Sequence, residues 1–168
     1  MNALEIRDLC KSYPDFTLDH LNLTLPSGCI MGLVGENGAG KSTTIKLILD
    51  MIHRDSGTIT VLGRDNQHAF HLTKEDIGVV MDELGLPVML NALQIGKVMA
   101  RIYQNWDDDA YAGYLRSLSI PGKKAFYALS RGMKMKLGIA IALSHGAKLL
   151  LLDVTFSIPQ RVYADVWR

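Results

Sequence analysis

Cysteine is scarce in this chain, and charge of one sign does not accumulate. The two cysteines among 168 residues, Cys10 and Cys29, lie far apart and in no metal-binding spacing. This usage predicts two reduced thiols in an intracellular protein. The net charge is only +1, which gives no general attraction for nucleic acid or for an acidic membrane surface. We therefore expect no nucleic-acid partner.

Long hydrophobic runs are also missing. The most apolar stretch, about 137–152, is interrupted by Ser144, His145 and Lys148, so it is too short and too polar to cross a bilayer. No charged-then-apolar segment opens the chain, so no secretory signal is evident. These features predict a soluble cytoplasmic protein that reaches a membrane only through a partner.

The composition that remains is that of a folded domain. Hydrophobic residues make up 48% of the chain and charged residues 21%. These proportions and the length suit one globular domain with a real core.

The first half of the chain alternates predicted strands with a helix. Residues 29–35, CIMGLVG, read as a strand buried on both faces, and a helical pattern follows from Lys41 to about Ile52. The other predicted strands are 3–10, 16–25, 58–63 and 76–82. This alternation is typical of an α/β fold.

The second half is mainly helical. Apolar residues recur at helical spacing in 91–106, 107–118 and 130–146, and Pro121-Gly122 separates the second helix from the third. A strand of leucines returns at 148–152. We therefore predict one domain, with an α/β core formed by 1–82 and 147–168 and an inserted helical subdomain at 83–146.

A glycine-rich loop stands between the predicted strand at 29–35 and the predicted helix. GENGAGKST, residues 35–43, fits the pattern G-x-x-x-x-G-K-[ST] of a phosphate-binding loop. Glycines let backbone N–H groups approach phosphate oxygens, lysine reaches the β- and γ-phosphates, and the serine hydroxyl can ligate Mg²⁺. The predicted nucleotide-binding residues here are Gly35, Glu36, Asn37, Gly38, Ala39, Gly40, Lys41, Ser42 and Thr43.

A second motif distinguishes among phosphate-loop proteins. LSRGM, residues 129–133, precedes a predicted helix for which Ser130 is a good N-cap, and its hydroxyl and the free amides form an anion site. The chain here resembles the ATP-binding subunits of ABC transporters, whose signature is L-S-G-G-Q. Ser130 and Gly132 match that signature, whereas Arg131 and Met133 depart from it. In that family, this segment, here Leu129 to Met133, contacts the ATP held by a second subunit.

The resemblance implies further site residues. Tyr13 stands where the family stacks an aromatic ring on adenine, and stacking of this kind is worth about 1–3 kcal/mol. Asp153, after the leucine strand, matches the magnesium-binding Walker B aspartate. Asp82 stands where the family has the glutamine that touches Mg²⁺ and the membrane subunit. The implied magnesium ligands are thus Ser42, Asp82 and Asp153.

The resemblance covers residues 2–153 and then stops. Val154 occupies the position of the catalytic glutamate, and 154–168 contain no counterpart of the family's dimer-contacting loop or switch histidine. We expect the C-terminal part of the core to be missing. The strand with that histidine lies between the phosphate-loop strand and the Walker B strand in the family, so both would lose a neighbour.

The resemblance implies the ATP-binding component of an ABC transporter, with ATP and Mg²⁺ as ligands. Its partners would be a membrane-spanning subunit and a second ATP-binding subunit, which place it at the inner face of the cell membrane. Two alternatives remain open. One is a catalytically silent nucleotide-binding or regulatory module. The other is a phosphate-loop enzyme of another class, although the chain has no N-K-x-D guanine motif.

Overall fold

The fold is an α/β arrangement of two separate sheets and a group of helices, seen in a computed structural model. The structure describes residues 1–36, 38–69, 71, 73–81 and 83–153. The strands are β1 (Asn2–Tyr13), β2 (Phe16–Pro26), β3 (Ser56–Val61), β4 (Arg64–Asp65), β5 (Ile77–Val80) and β6 (Leu149–Leu152). The α-helices are α1 (Lys41–Ile48), α2 (Ala92–Ile102), α3 (Asp108–Ser117) and α4 (Arg131–Ser144), with 3₁₀ turns at Lys74–Asp76 and Phe126–Ala128.

The larger sheet is antiparallel, with the strand order β2-β1-β3-β4. Its pairing places Leu4 opposite Val61 and Ile6 opposite Ile59 between β1 and β3. These four side chains are buried, because alternate residues of a strand face the same side of a sheet. They form one core with α1 and with the smaller sheet.

The smaller sheet is parallel and consists of β5 and β6, with Val80 opposite Leu152. Helix α4 packs on it at Gly78. A methyl group on Gly78 would lie 2.9 Å from the Ala142 side chain and 2.5 Å from that of Leu150. The glycine therefore permits the close approach of helix and strand.

The side chain of Asn66 closes the C-terminal end of α1. Its amide donates to the carbonyl oxygens of Leu47 at 2.7 Å and Ile48 at 3.0 Å, and its oxygen accepts from Arg54 at 2.6 Å. Asn66 is only 1% exposed. Helix ends leave carbonyl groups without intrahelical partners. Because this place is buried, Asn66 donates the hydrogen bonds that water would otherwise supply to these carbonyls.

The helical part has its own core and well-defined helix starts. Asn91 and Gln94 form a reciprocal capping box at α2, and the Asp107 carboxylate accepts from the Ala110 amide at α3. Tyr111 is buried and donates its hydroxyl to the Ala92 carbonyl at 2.8 Å. The predicted helices are thus present, each shorter than its pattern suggested.

The predicted buried strand at 29–35 is wrong. This segment is irregular and belongs to neither of the two sheets formed by the described residues. Its apolar side chains face solvent: Val34 is 95% exposed, Ile30 62% and Met31 45%. A buried parallel strand needs hydrogen-bonding neighbours for its backbone groups. Here β6 pairs with β5, and the ladder that would fix residues 29–35 is absent from the described chain.

His145 connects the helical part to the α/β part. The residue is buried, its ring stacks on Tyr103 with centroids 4.0 Å apart, and Nδ1 lies 3.0 Å from the Glu75 carbonyl oxygen. A carbonyl oxygen only accepts, so Nδ1 carries the proton. Burial lowers the pKa of His145 from its ordinary value of 6.5, against smaller raising effects of the Glu75 hydrogen bond and nearby carboxylates.

We expect His145 to make the fold less stable in mild acid. As the pH falls below about 6.5, His145 becomes protonated in the unfolded chain but stays neutral to lower pH in the folded chain. The free energy of unfolding therefore decreases. The stability advantage of the native chain over His145→Phe should therefore shrink between pH 7.5 and 5.5, measured by urea unfolding. His53→Gln, which alters an exposed histidine, serves as the control. An advantage that stays constant with pH would contradict this role.

Candidate nucleotide-binding site

The phosphate loop turns tightly before α1. Gly38 and Gly40 have φ values of +88° and +87°, a left-handed conformation that glycine adopts without strain. The Ala39 amide donates to the Glu36 carbonyl at 3.1 Å. Asn37, a predicted site residue, lies outside the described residues. The turn leads directly into the N-terminus of α1, where free backbone N–H groups and the helix dipole favour an anion.

Lys41 extends its side chain back along this loop. Its Nζ donates to the carbonyl oxygens of Gly35 at 2.6 Å and Glu36 at 2.7 Å. Ser42 is exposed and Thr43 half-buried in the same first turn. The loop therefore carries a cation and hydroxyl groups beside the helix start, which is the donor set that a polyphosphate requires.

The end of the β1–β2 hairpin lies against the loop. Phe16 pairs with Tyr13 across the hairpin, and a methyl group on Gly40 would lie 2.6 Å from Cζ of the Phe16 ring. Tyr13 is 42% exposed, and Lys11 places its Nζ 5.4 Å from the Tyr13 ring centroid. The predicted adenine-stacking residue is thus held on an element that contacts the phosphate loop.

The two remaining predicted magnesium ligands follow the two parallel strands. Asp153 comes directly after β6, is half-buried, and donates its backbone amide to the Val80 carbonyl at 2.8 Å. Asp82 follows β5 by two residues in the sequence and lies outside the described residues, as does Val154. The carboxyl ends of β5 and β6 meet at one edge of the smaller sheet.

The signature segment begins α4 as its sequence predicts. Ser130 is the N-cap, and its Oγ accepts from the Met133 amide at 3.3 Å. Leu129 is buried in the helical core, whereas Ser130, Arg131 and Gly132 are exposed. Apart from its chain neighbours and the backbone of its own helix, no described atom lies within 4 Å of the position that a methyl group on Gly132 would take. Leu129 thus anchors the helix start in the helical core, while the residues that follow it are accessible to solvent.

An exposed apolar surface beside the helices was not predicted. The segments 88–93 and 122–127 run side by side here: Tyr127 N–H donates to Val88 O at 3.0 Å, and Leu93 N–H donates to Gly122 O at 3.2 Å. We call the following set of large, exposed hydrophobic residues the apolar patch: Val88, Met89, Leu93 and Tyr127. Sequence reasoning could have found only the PVML run at 87–90, because Tyr127 joins it through tertiary pairing.

No helix in the described part of the chain is both long and apolar enough to cross a membrane.

Comparisons with known proteins identify the family. The ABC transporter family model matches residues 18–157. The bacitracin transport ATP-binding protein BcrA of Enterococcus faecalis is 31% identical over 157 residues, which are 90% of this chain and 50% of that protein. The lantibiotic transport ATP-binding protein SrtF of Streptococcus pyogenes is 35% identical over 153 residues, 89% of this chain and 65% of SrtF.

The fold is also that of a solved ATP-binding subunit of an ABC transporter. The TM-score is 0.81 at 25% identity, over 96% of this chain and 71% of the other. The chain spans about half to two thirds of the length of the curated relatives described above. The phosphate loop stands at the start of α1, Ser130 caps the signature helix, and the family model matches most of the sequence. The chain therefore belongs to the ABC transporter family of ATP-binding proteins.

Proposed function

We propose that this chain is the ATP-binding component of an ABC transporter and binds Mg-ATP at residues 35–43. The observation that carries the proposal is the phosphate loop itself, in which Lys41 and two left-handed glycines stand at the start of α1. Tyr13 would stack on the adenine, because the hairpin that carries it touches Gly40 through Phe16. ATP would displace the Lys41 ammonium from the two carbonyl oxygens that it contacts.

The residues present suit Mg²⁺. A magnesium ion prefers oxygen ligands and few protein groups, and the chain offers the exposed Ser42 hydroxyl and the half-buried Asp153 carboxylate. Asp82 would be a third ligand, as the sequence predicts. Bound magnesium would neutralise phosphate charge and orient the phosphates, while Ser42 and Asp153 would hold it.

A second ATP-binding subunit would complete the site. Ser130 and Gly132 are exposed at the start of a 14-residue helix, and free amides in this position bind anions. We infer that they receive the γ-phosphate of ATP bound to the other subunit. ATP would thereby stabilise the closed dimer over the open one.

The apolar patch is the surface that we assign to the membrane-spanning subunit. It lies on the segment that follows Asp82 and on the turn before the signature helix. A partner bound there would therefore contact both segments and respond to movement of either one. Exposed apolar groups clustered in this way mark interaction sites. The protein would thus work at the inner face of the cell membrane.

The direct test is nucleotide binding by Lys41→Ala. Removal of the ammonium should weaken binding of a fluorescent ATP analogue by about a hundredfold, because charge-assisted hydrogen bonds to phosphate are lost. Lys46→Ala on the exposed side of the same helix should bind like the native chain. Equal affinity of native chain and Lys41→Ala, with circular dichroism unchanged, would refute binding at this loop.

A second candidate is nucleotide binding without turnover. Val154 follows Asp153 where the family has the glutamate that orients the attacking water, and an alkyl side chain cannot orient it. Magnesium-dependent phosphate release that exceeds that of Lys41→Ala would exclude this candidate. ATP binding with release at the level of Lys41→Ala would support it.

A further inference from the structure

A second cluster of ligand side chains lies on the β1–β2 hairpin, apart from the phosphate loop. Cys10, Asp19 and His20 each place one ligand atom within 4.8 Å of the others. This cluster has no signal in the sequence, because Cys10 is separated from the other two residues by most of the hairpin. Cys10 is half-buried, and Asp19 and His20 are exposed.

A bulge in the sheet brings these residues together. The flanking pairs in this register are Leu9 with Leu21 and Lys11 with Leu18. Cys10 alone therefore lies opposite two residues of β2, Asp19 and His20. Neighbouring residues of a regular strand point to opposite faces, but His20 has a φ of +45°, and the bulge redirects its side chain. The His20 amide donates to the Cys10 sulfur at 3.3 Å, which fixes the two backbones.

A second bulge next to the first supports the histidine ring. Asp8 also has a positive φ, +47°, and its Oδ1 lies 3.7 Å from His20 Nδ1. The Asn22 side chain holds this arrangement: its oxygen accepts from the Asp8 amide at 3.0 Å and its nitrogen donates to the His20 carbonyl at 2.9 Å. Non-glycine residues at positive φ cost about 1–3 kcal/mol each and tend to persist at functional sites.

The donor set selects a particular class of cation. A thiolate, an imidazole and a carboxylate are ligands of Zn²⁺, whereas Mg²⁺ and Ca²⁺ prefer oxygen alone. The His20 Nε2 lies 3.8 Å from Asp19 Oδ1, close to the separation of about 3–4 Å between ligands around one zinc ion. The carboxylate of Asp8 beside Nδ1 is the outer partner that a metal-bound histidine usually has.

We propose that Cys10, Asp19 and His20 bind one Zn²⁺ ion, with Asp8 orienting the histidine and a water molecule in the fourth position. The site is independent of the proposed nucleotide function, because it shares no ligand with the phosphate loop. It lies three residues before Tyr13 on the same strand. Zinc would cross-link β1 and β2 below the hairpin end that carries this tyrosine.

The test is a titration of the reduced full chain, without nucleotide, with Co²⁺ and then with Zn²⁺ in competition. Cobalt bound to a thiolate gives a near-ultraviolet charge-transfer band, so the spectrum reports the sulfur ligand. We expect one ion per chain and displacement of Co²⁺ by Zn²⁺. Cys10→Ser should abolish the band, and His20→Gln and Asp19→Asn should weaken binding at least tenfold. Asp19 and His20 are exposed, so their variants leave the core intact.

Matched controls separate the site from adventitious binding. Cys29→Ser changes the other cysteine, which is exposed, and His53→Gln changes an exposed histidine elsewhere. Both should bind like the native chain. The proposal is overturned if the band is missing from the native chain, if Cys29→Ser loses it, or if His20→Gln and Asp19→Asn bind with native affinity.

Discussion

Gly57→Ala is expected to destabilise the fold by about 4 kcal/mol, as a sum of backbone strain and overlap. Gly57 has a φ of +87°, and an added methyl group would lie 2.4 Å from the Asp8 carbonyl oxygen and 2.6 Å from that of Arg7. Both obstacles are backbone atoms of the neighbouring strand, so they cannot rotate away. Urea unfolding followed by far-ultraviolet circular dichroism measures the loss.

Substitutions at two other glycines separate the effect of backbone strain from that of the overlap with β1. Gly28 has a similar φ of +76°, but no described atom outside its chain neighbours lies within 4 Å of the added methyl group, so Gly28→Ala should cost only about 1 kcal/mol. Gly113 lies within α3 in open space at an ordinary φ, and Gly113→Ala should add about 0.5–1 kcal/mol of stability. If Gly57→Ala costs no more than Gly28→Ala, the contact with β1 is not what excludes a side chain at residue 57.

The second large effect is expected for Asn66→Asp, at about 3 kcal/mol of lost stability at neutral pH. The substitution keeps the shape but replaces an amide donor with oxygen. The Leu47 and Ile48 carbonyls then face a carboxylate at 2.7 and 3.0 Å and lose their donor in a buried place, where an unsatisfied group costs about 1–3 kcal/mol. Arg54, which already contacts this side chain, offsets part of the cost.

Thermal and urea unfolding test the substitution directly. The matched control is Gln67→Glu, the same chemical change at the next residue, which is exposed and should shift stability by less than about 0.5 kcal/mol. Because Asn66 closes the end of α1 opposite the phosphate loop, we also expect Asn66→Asp to bind ATP more weakly at temperatures near its own unfolding. Equal stability of the two variants would show that α1 does not depend on this cap.

Local features of the fold were predictable from the sequence, and features that depend on distant partners were not. Ser130 and Asp107 cap helices within three residues of themselves, so residue type and the helical pattern suffice to place them. Residues 29–35 have the composition of a buried strand, but a strand exists only with its neighbours. The composition of this segment therefore predicted a strand that residues 29–35 do not form in the structure.

In the candidate nucleotide-binding site too, local features were predictable and long-range contacts were not. The phosphate loop could be predicted because all its groups lie in nine consecutive residues, and those that the structure describes lie at the start of α1. The contact of Phe16 with Gly40 depends on how the larger sheet meets α1, and the pairing of Lys11 with Asp55 at 2.7 Å depends on how β1 lies beside the start of β3. Neither contact has a signal in the sequence, although both determine where Tyr13 stands.

The irregular segment before the phosphate loop has a calorimetric consequence. The apolar side chains of Ile30, Met31, Leu33 and Val34 are exposed to solvent, whereas a buried strand would have removed them from it. Removal of apolar surface from water lowers the heat capacity by about 0.45 cal/K/mol per Å². Any event that covers these four side chains will therefore have a binding enthalpy that becomes more favourable as the temperature rises.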